Sequence, residues 1–177
     1  MPAAESHLVL TAVGPDRPGL VKAFSALVHD AGANLEDSRM AILGGEFALI
    51  VLVAGSEGAI AKVETSAERV ASELGLKLVS KRTRPESRRD FLPYVLRVSG
   101  VDRPGIVAAG SALVARHGIN VASLESGVSY APLSGTPLFT LEAELQVPSE
   151  LALAELRRQV ATLSDEENLD VALEVKR

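Results

Sequence analysis

Apolar positions along the chain follow two periods, and these alternate in the same order twice. Residues 7–13 form a short β-rich run. A polar turn, Asp16-Arg17-Pro18-Gly19, follows. Leu20, Phe24, Leu27 and Val28 then fall at i, i+4, i+7 and i+8, one face of a helix. Gly32 predicts a left-handed residue closing that helix. A second strand starts at Asn34, and Gly44-Gly45 predicts a tight hairpin. Residues 47–54 are continuously apolar, the pattern of a central strand covered on both faces. A helix over 59–74 and a strand over 76–83 complete the first half.

The second half repeats the order. Tyr94, Leu96 and Val98 alternate with Val95, Arg97 and Ser99, a period of two. Ile106, Gly110, Leu113 and Val114 share a helix face, Gly118 ends it, and a strand starts at Asn120. A longer hairpin over 130–137 leads to a strand over 138–147. A helix over 151–163, with Ser149 expected as its N-cap, precedes a strand over 169–176.

Sliding the sequence by 86 residues aligns Asp16-Arg17-Pro18-Gly19 with Asp102-Arg103-Pro104-Gly105, and 13 of the 21 positions from 14 to 34 are identical. That density marks a duplication. The order β-α-β-β-α-β predicts an α+β chain. It consists of two tandem ferredoxin-like domains, each with helices on one face of a four-stranded antiparallel sheet. We place the first domain at 1–84, a linker at 85–91 and the second domain at 92–177. The other sheet face needs cover, which packing between copies or a homodimer would give.

Composition narrows the chemistry. Aromatics are 3% of the chain, with no Trp, so no platform for stacking bases is apparent. Net charge is -5 and Cys is absent. Disulfides and thiolate metal sites are thereby excluded, and direct nucleic-acid binding is not expected of so acidic a chain. One local exception is residues 77–90, which carry net +4 against -9 elsewhere. It reads either as a solvated linker or as a patch for an acidic partner through Arg82, Arg84, Arg88 and Arg89. No signal peptide or membrane span is read, so a cytoplasmic protein is expected.

The two turns carry the candidate chemistry. Pro18 and Pro104 suit a first helical turn. Gly19 and Gly105 leave the helix N-terminus open, where backbone N–H groups attract a carboxylate. Asp16 and Asp102 would receive an ammonium group, and Asn34 and Asn120 would add an amide. Such a site suits a small free amino acid. The same residues also have a purely structural reading, with Asp as a cap and Pro and Gly as turn formers. Arg17 and Arg103 are expected to be exposed or paired with acids.

Gly14-Pro15-Asp16-Arg17-Pro18-Gly19 with Gly32-Ala33-Asn34 resembles the ACT domain. So does Gly100-Val101-Asp102-Arg103-Pro104-Gly105 with Gly118-Ile119-Asn120. The resemblance implies side-by-side pairing into eight-stranded sheets, with amino acids bound at that interface against the strand-to-helix loop. A chain of two such domains, with Thr136-Pro137-Leu138-Phe139 before its third strand, resembles the glycine cleavage system transcriptional repressor group. That resemblance implies sensing of an amino acid, glycine first among candidates, and action through a regulatory protein partner.

Enzyme chemistry is not expected. His7, His29 and His117 show no metal-ligand spacing, so no metal and no cofactor are expected. Nucleophile elbows and phosphate-binding loops are missing. Glu142 and Glu144 alternate on one strand, a pattern more typical of solvated side chains than of an acid–base pair. The alternative to a sensor is an interaction scaffold without a small-molecule ligand. Glu36-Asp37-Ser38-Arg39 differs from Ala122-Ser123-Leu124-Glu125, so the two copies are expected to differ in affinity.

Overall fold

The structure, a computed structural model, describes residues 5–84 and 90–176. The chain divides into two compact units, Met1–Ser87 and Arg88–Arg177. Residues 85–89 of the expected linker lie outside the described residues, as do Arg88 and Arg89 of the basic stretch.

The first unit runs β1 (Ser6–Pro15), α1 (Leu20–Asp30), β2 (Asn34–Leu43), β3 (Glu46–Gly55), α2 (Glu57–Glu73) and β4 (Lys77–Thr83). Its antiparallel sheet has the order β2-β3-β1-β4. The second runs β5 (Phe91–Val101), α3 (Ile106–Arg116), β6 (Asn120–Tyr130), β7 (Pro137–Pro148), α4 (Leu153–Glu167) and β8 (Asp170–Val175), ordered β6-β7-β5-β8. Both are ferredoxin-like α+β units, as the periodicity predicted.

The cores form where the two periods meet. Leu8, Leu10 and Ala12 of β1 and Phe47, Leu49, Val51 and Val53 of β3 point to the helix side. Leu20, Phe24, Leu27 and Val28 of α1 press on them, and these are the buried residues of that helix. Ala67 and Ala71 are fully enclosed in α2 and let it approach the sheet closely. Gly32 and Gly118 take positive φ after α1 and α3, and Gly44 and Gly45 do so in the β2–β3 hairpin.

Three local expectations need correction. The apolar run 47–54 predicts cover on both faces, but helices lie on one side only. Ile50, on the other side, is 46% exposed. Ser149 does not cap α4. Leu151 N–H donates to Pro148 O at 3.0 Å, and this turn leaves Ala152 at the cap position without a side-chain bond. By contrast Ser56 does cap α2, accepting from Ala59 N–H at 3.2 Å, so that helix starts before residue 59.

The third correction concerns the basic stretch. Lys77, Lys81 and Arg82 lie in β4, the strand expected over 76–83, so what changes is the reading of Arg82 as open to an acidic partner. Arg82 faces α2, where it meets Glu57 and donates to Glu64 at 3.0 Å. Hydrogen bonds from Arg82 and then Ser6 hold the Glu57 carboxyl below its ordinary range. Arg82 is therefore committed to its own helix rather than offered to a phosphate backbone. Among the described residues no helix is long and apolar enough to cross a membrane.

Candidate ligand-binding turns

Each Asp-Arg-Pro-Gly turn is anchored from two sides. Asp16 N–H donates to Gly45 O at 3.1 Å, tying the turn to the neighbouring hairpin, and Asp102 N–H donates to Pro137 O at 2.9 Å. Arg17 donates to Glu73 O at 3.5 Å, the last residue of α2. Arg103 donates to Glu167 O at 2.7 Å, the last residue of α4, and also pairs with the Glu167 carboxylate. A cation there satisfies orphan carbonyls at the helix end. The two arginines are thus clamps between the turn and the second helix.

The first glycine of each motif is required by a close approach. A Cβ on Gly14 would lie 2.9 Å from a Leu76 side-chain carbon and 3.0 Å from Gly75 O, and one on Gly100 would lie 2.6 Å from Leu169. The last glycine is required by its backbone. Gly19 has φ 96 and Gly105 φ 100, left of the usual range for L residues, and a Cβ at either would meet nothing within 4 Å. So Gly19 and Gly105 are the N-caps themselves. Pro18 and Pro104 fall in the turn before the helix, not in its first turn, because the chain needs that left-handed residue before it can wind.

Neither α1 nor α3 has a side-chain cap. The capping role considered for Asp16 and Asp102 is thereby excluded. The first amides of both helices thus have no side-chain acceptor, and the aspartate three residues before each cap is exposed. Such a pair of features can accept a carboxylate on one side and an ammonium on the other.

Asn34 and Asn120 are not beside these turns. β2 is an edge strand, separated from β1 by β3. Asn34 pairs with Ala54, which pairs with His7. Asp16 lies nine residues beyond His7 along β1, about 30 Å at the usual rise. In the second unit Asn120 pairs with Gln146, which pairs with Pro93, nine residues before Asp102. Asn120 also donates to the Gln146 side chain at 2.7 Å. Within a unit the asparagine and aspartate occupy opposite ends of the sheet. The differing segments after each asparagine therefore flank that far end rather than the turn.

The open face of the second sheet carries charge instead. Arg97 bridges Glu142 at 2.8 Å and Glu174 at 2.6 Å, and Lys176 meets Glu144 at 2.7 Å. Glu142 first, and then Glu174, raise the Arg97 pKa. Glu142 and Glu144 are thus ion-paired surface groups. A shallow concavity there is lined by Arg97, Ser99, Glu125 and Asp170 among others.

The comparisons with known proteins agree with the fold. A family model described as an ACT domain matches residues 6–81, and another matches residues 94–161. The chain is 32% identical to the glycine cleavage system transcriptional repressor of Escherichia coli (strain K12), over 98% of this chain and 92% of that protein. The protein of the same name from Shigella flexneri matches to the same extent. The crystal structure of an unknown protein from Galdieria sulphuraria aligns with a TM-score of 0.84 at 32% identity, covering 98% of this chain and 100% of that one.

Proposed function

The chain belongs to the ACT-domain family, and from that premise we propose that it is a regulatory protein, not an enzyme, that senses a small free amino acid. The observation carrying this reading is the pair of uncapped helix N-termini, at Gly19 and Gly105, each beside an exposed aspartate. Glycine is the first candidate, because the full-length relatives are named for the glycine cleavage system. Occupancy would be passed to a regulatory protein partner in the cytoplasm, with transcription as the output.

A complete site needs more than one turn. The Asn34 amide reaches an Asp16 turn only if a second copy of the chain supplies it. Two β2 edges placed antiparallel bring the start of one strand to the finish of the other, which is the turn end of the partner sheet. Helix α1, which follows the Asp16 turn, packs against that edge strand. The separation falls from about 30 Å to about 10–14 Å, two to three strand spacings. A zwitterion with a hydrogen bond at each end spans the lower part of that range. Met40, Ile42 and Leu43 along β2 are all more than half exposed and would be covered by such a homodimer. That apolar edge also favours the second reading, a scaffold that assembles without a ligand.

Calorimetric titration of the folded protein with glycine, then with serine and the other free amino acids, separates the readings. The sensor reading expects saturable heat for one of them. It also expects that heat to weaken in Asp16→Ala or Asp102→Ala with unchanged melting temperature. Silence across the whole panel would leave the scaffold reading standing. Normal binding by both variants would move the site away from the turns.

A further inference from the structure

We propose that Glu5, His7 and Glu36 form a binding site for a first-row divalent metal ion of the zinc type, on the open face of the first sheet. Leu8, Leu10 and Ala12 point to the helices, so His7 points to the other side of β1. Glu5 lies two residues earlier, on the same face by strand alternation. Glu36 arrives by a different route. The β2–β3 register jumps between Leu35 and Asp37, which leaves Glu36 as the unpaired residue of a β-bulge. Bulges re-aim side chains, and this one brings Glu36 Oε2 to 3.4 Å from His7 Nε2. Between the two lies Ala54, which pairs with His7 in the register and is 1% exposed beneath them. A larger residue there would hold the imidazole and the carboxylate apart.

One oxygen from each glutamate and one imidazole nitrogen lie within 4.8 Å of one another. A zinc ion about 2.0–2.2 Å from each donor needs donors about 3.3–3.6 Å apart. The His7–Glu36 edge already meets that value, and small rotations of the exposed Glu5 side chain close the rest. Two carboxylates with one imidazole suit zinc and its neighbours, and the nitrogen donor disfavours magnesium and calcium. Water would complete the coordination.

The duplication supplies an independent comparison. The second unit keeps the bulge, with a register jump between Val121 and Ser123. Its residues at the three equivalent positions are Phe91, Pro93 and Ala122. The bulge therefore belongs to the fold, whereas the three donors do not. Sequence spacing hides them, because Glu5 lies just before β1 and His7 at its start, and the third comes from an edge strand two positions away in the sheet.

The test uses tag-free, metal-free full-length protein, titrated with Zn2+ against a chromophoric chelator. One ion per chain is expected to bind saturably. His7→Gln and Glu36→Gln should each weaken it by at least about tenfold, with unchanged circular dichroism. His29→Gln and His117→Gln should leave it unaltered. Affinity preserved in both first variants, zinc that follows His29 or His117, or no saturable binding would each overturn the proposal. None of these outcomes bears on amino-acid binding at the turns.

Discussion

Phe24→Ala is expected to remove about 3–5 kcal/mol from the stability of the first unit, the usual cost of deleting a buried phenyl ring. Phe24 is 2% exposed and sits in mid-α1, where it meets the β1 and β3 side chains in a core with few other aromatics. Total stabilities of such domains are about 5–15 kcal/mol, so this loss is large. The repeat supplies a natural counterpart. The equivalent position in α3 is Gly110, and a Cβ placed there meets nothing within 4 Å. Beneath it lies a small apolar gap bordered by Ile106, Val114, Leu141 and Leu145. Gly110→Ala should therefore stabilise the second unit by about 0.5–1 kcal/mol, from helix propensity before any gain in packing. Urea unfolding with amide exchange read at α2 and at α4 assigns each change to its unit. A loss below about 1 kcal/mol for Phe24→Ala would mean that the first core collapses around the deletion. A loss for Gly110→Ala would mean that the gap at α3 cannot admit a methyl group.

The elements were legible because local rules agree with packing over most of the chain. The α1 periodicity named the four residues that are buried, and Gly32, Gly44, Gly45 and Gly118 marked turns that require positive φ. Where sequence reading failed, the missing quantity was non-local. The β3 run looked doubly covered because its outward residues, Ala48 and Ile50 among them, are apolar too. Pro18 looked like a first-turn residue, but the left-handed Gly19 had to come between it and the helix. Asn34 looked adjacent to Asp16 because it opens the next strand in sequence. The order β2-β3-β1-β4 instead puts a strand between them and leaves β2 running parallel to β1, so its start lies at the far end from the turn. The Arg17 and Arg103 clamps depend on where the second helix ends, about 56 and 64 residues away. A sequence pattern can suggest that an arginine pairs with an acid, but it cannot show a backbone carbonyl as the target.

The far placement of Asn34 leads to the second large effect, loss and recovery of binding by mixing two inactive chains. In an antiparallel pairing of β2 edges each site takes its turn from one copy and its asparagine from the other. The experiment is made in an Asp102→Ala background, which silences the second unit's turn. In that background Asp16→Ala and Asn34→Ala should each lower amino-acid affinity by more than about tenfold, the effect of removing a hydrogen bond to a charged group. Mixed and allowed to exchange subunits, the two variants form heterodimers. One site in each then carries both substitutions and the other carries neither. Random pairing restores about a quarter of the wild-type sites, at wild-type affinity, because an isologous interface uses the same patch on both copies. A site contained in one unit would show no recovery on mixing. That result would return Asn34 to a structural role at the start of β2. Recovery in the predicted proportion would identify the homodimer edge as part of the ligand site, and would explain why Asn34 lies so far from Asp16 within one unit.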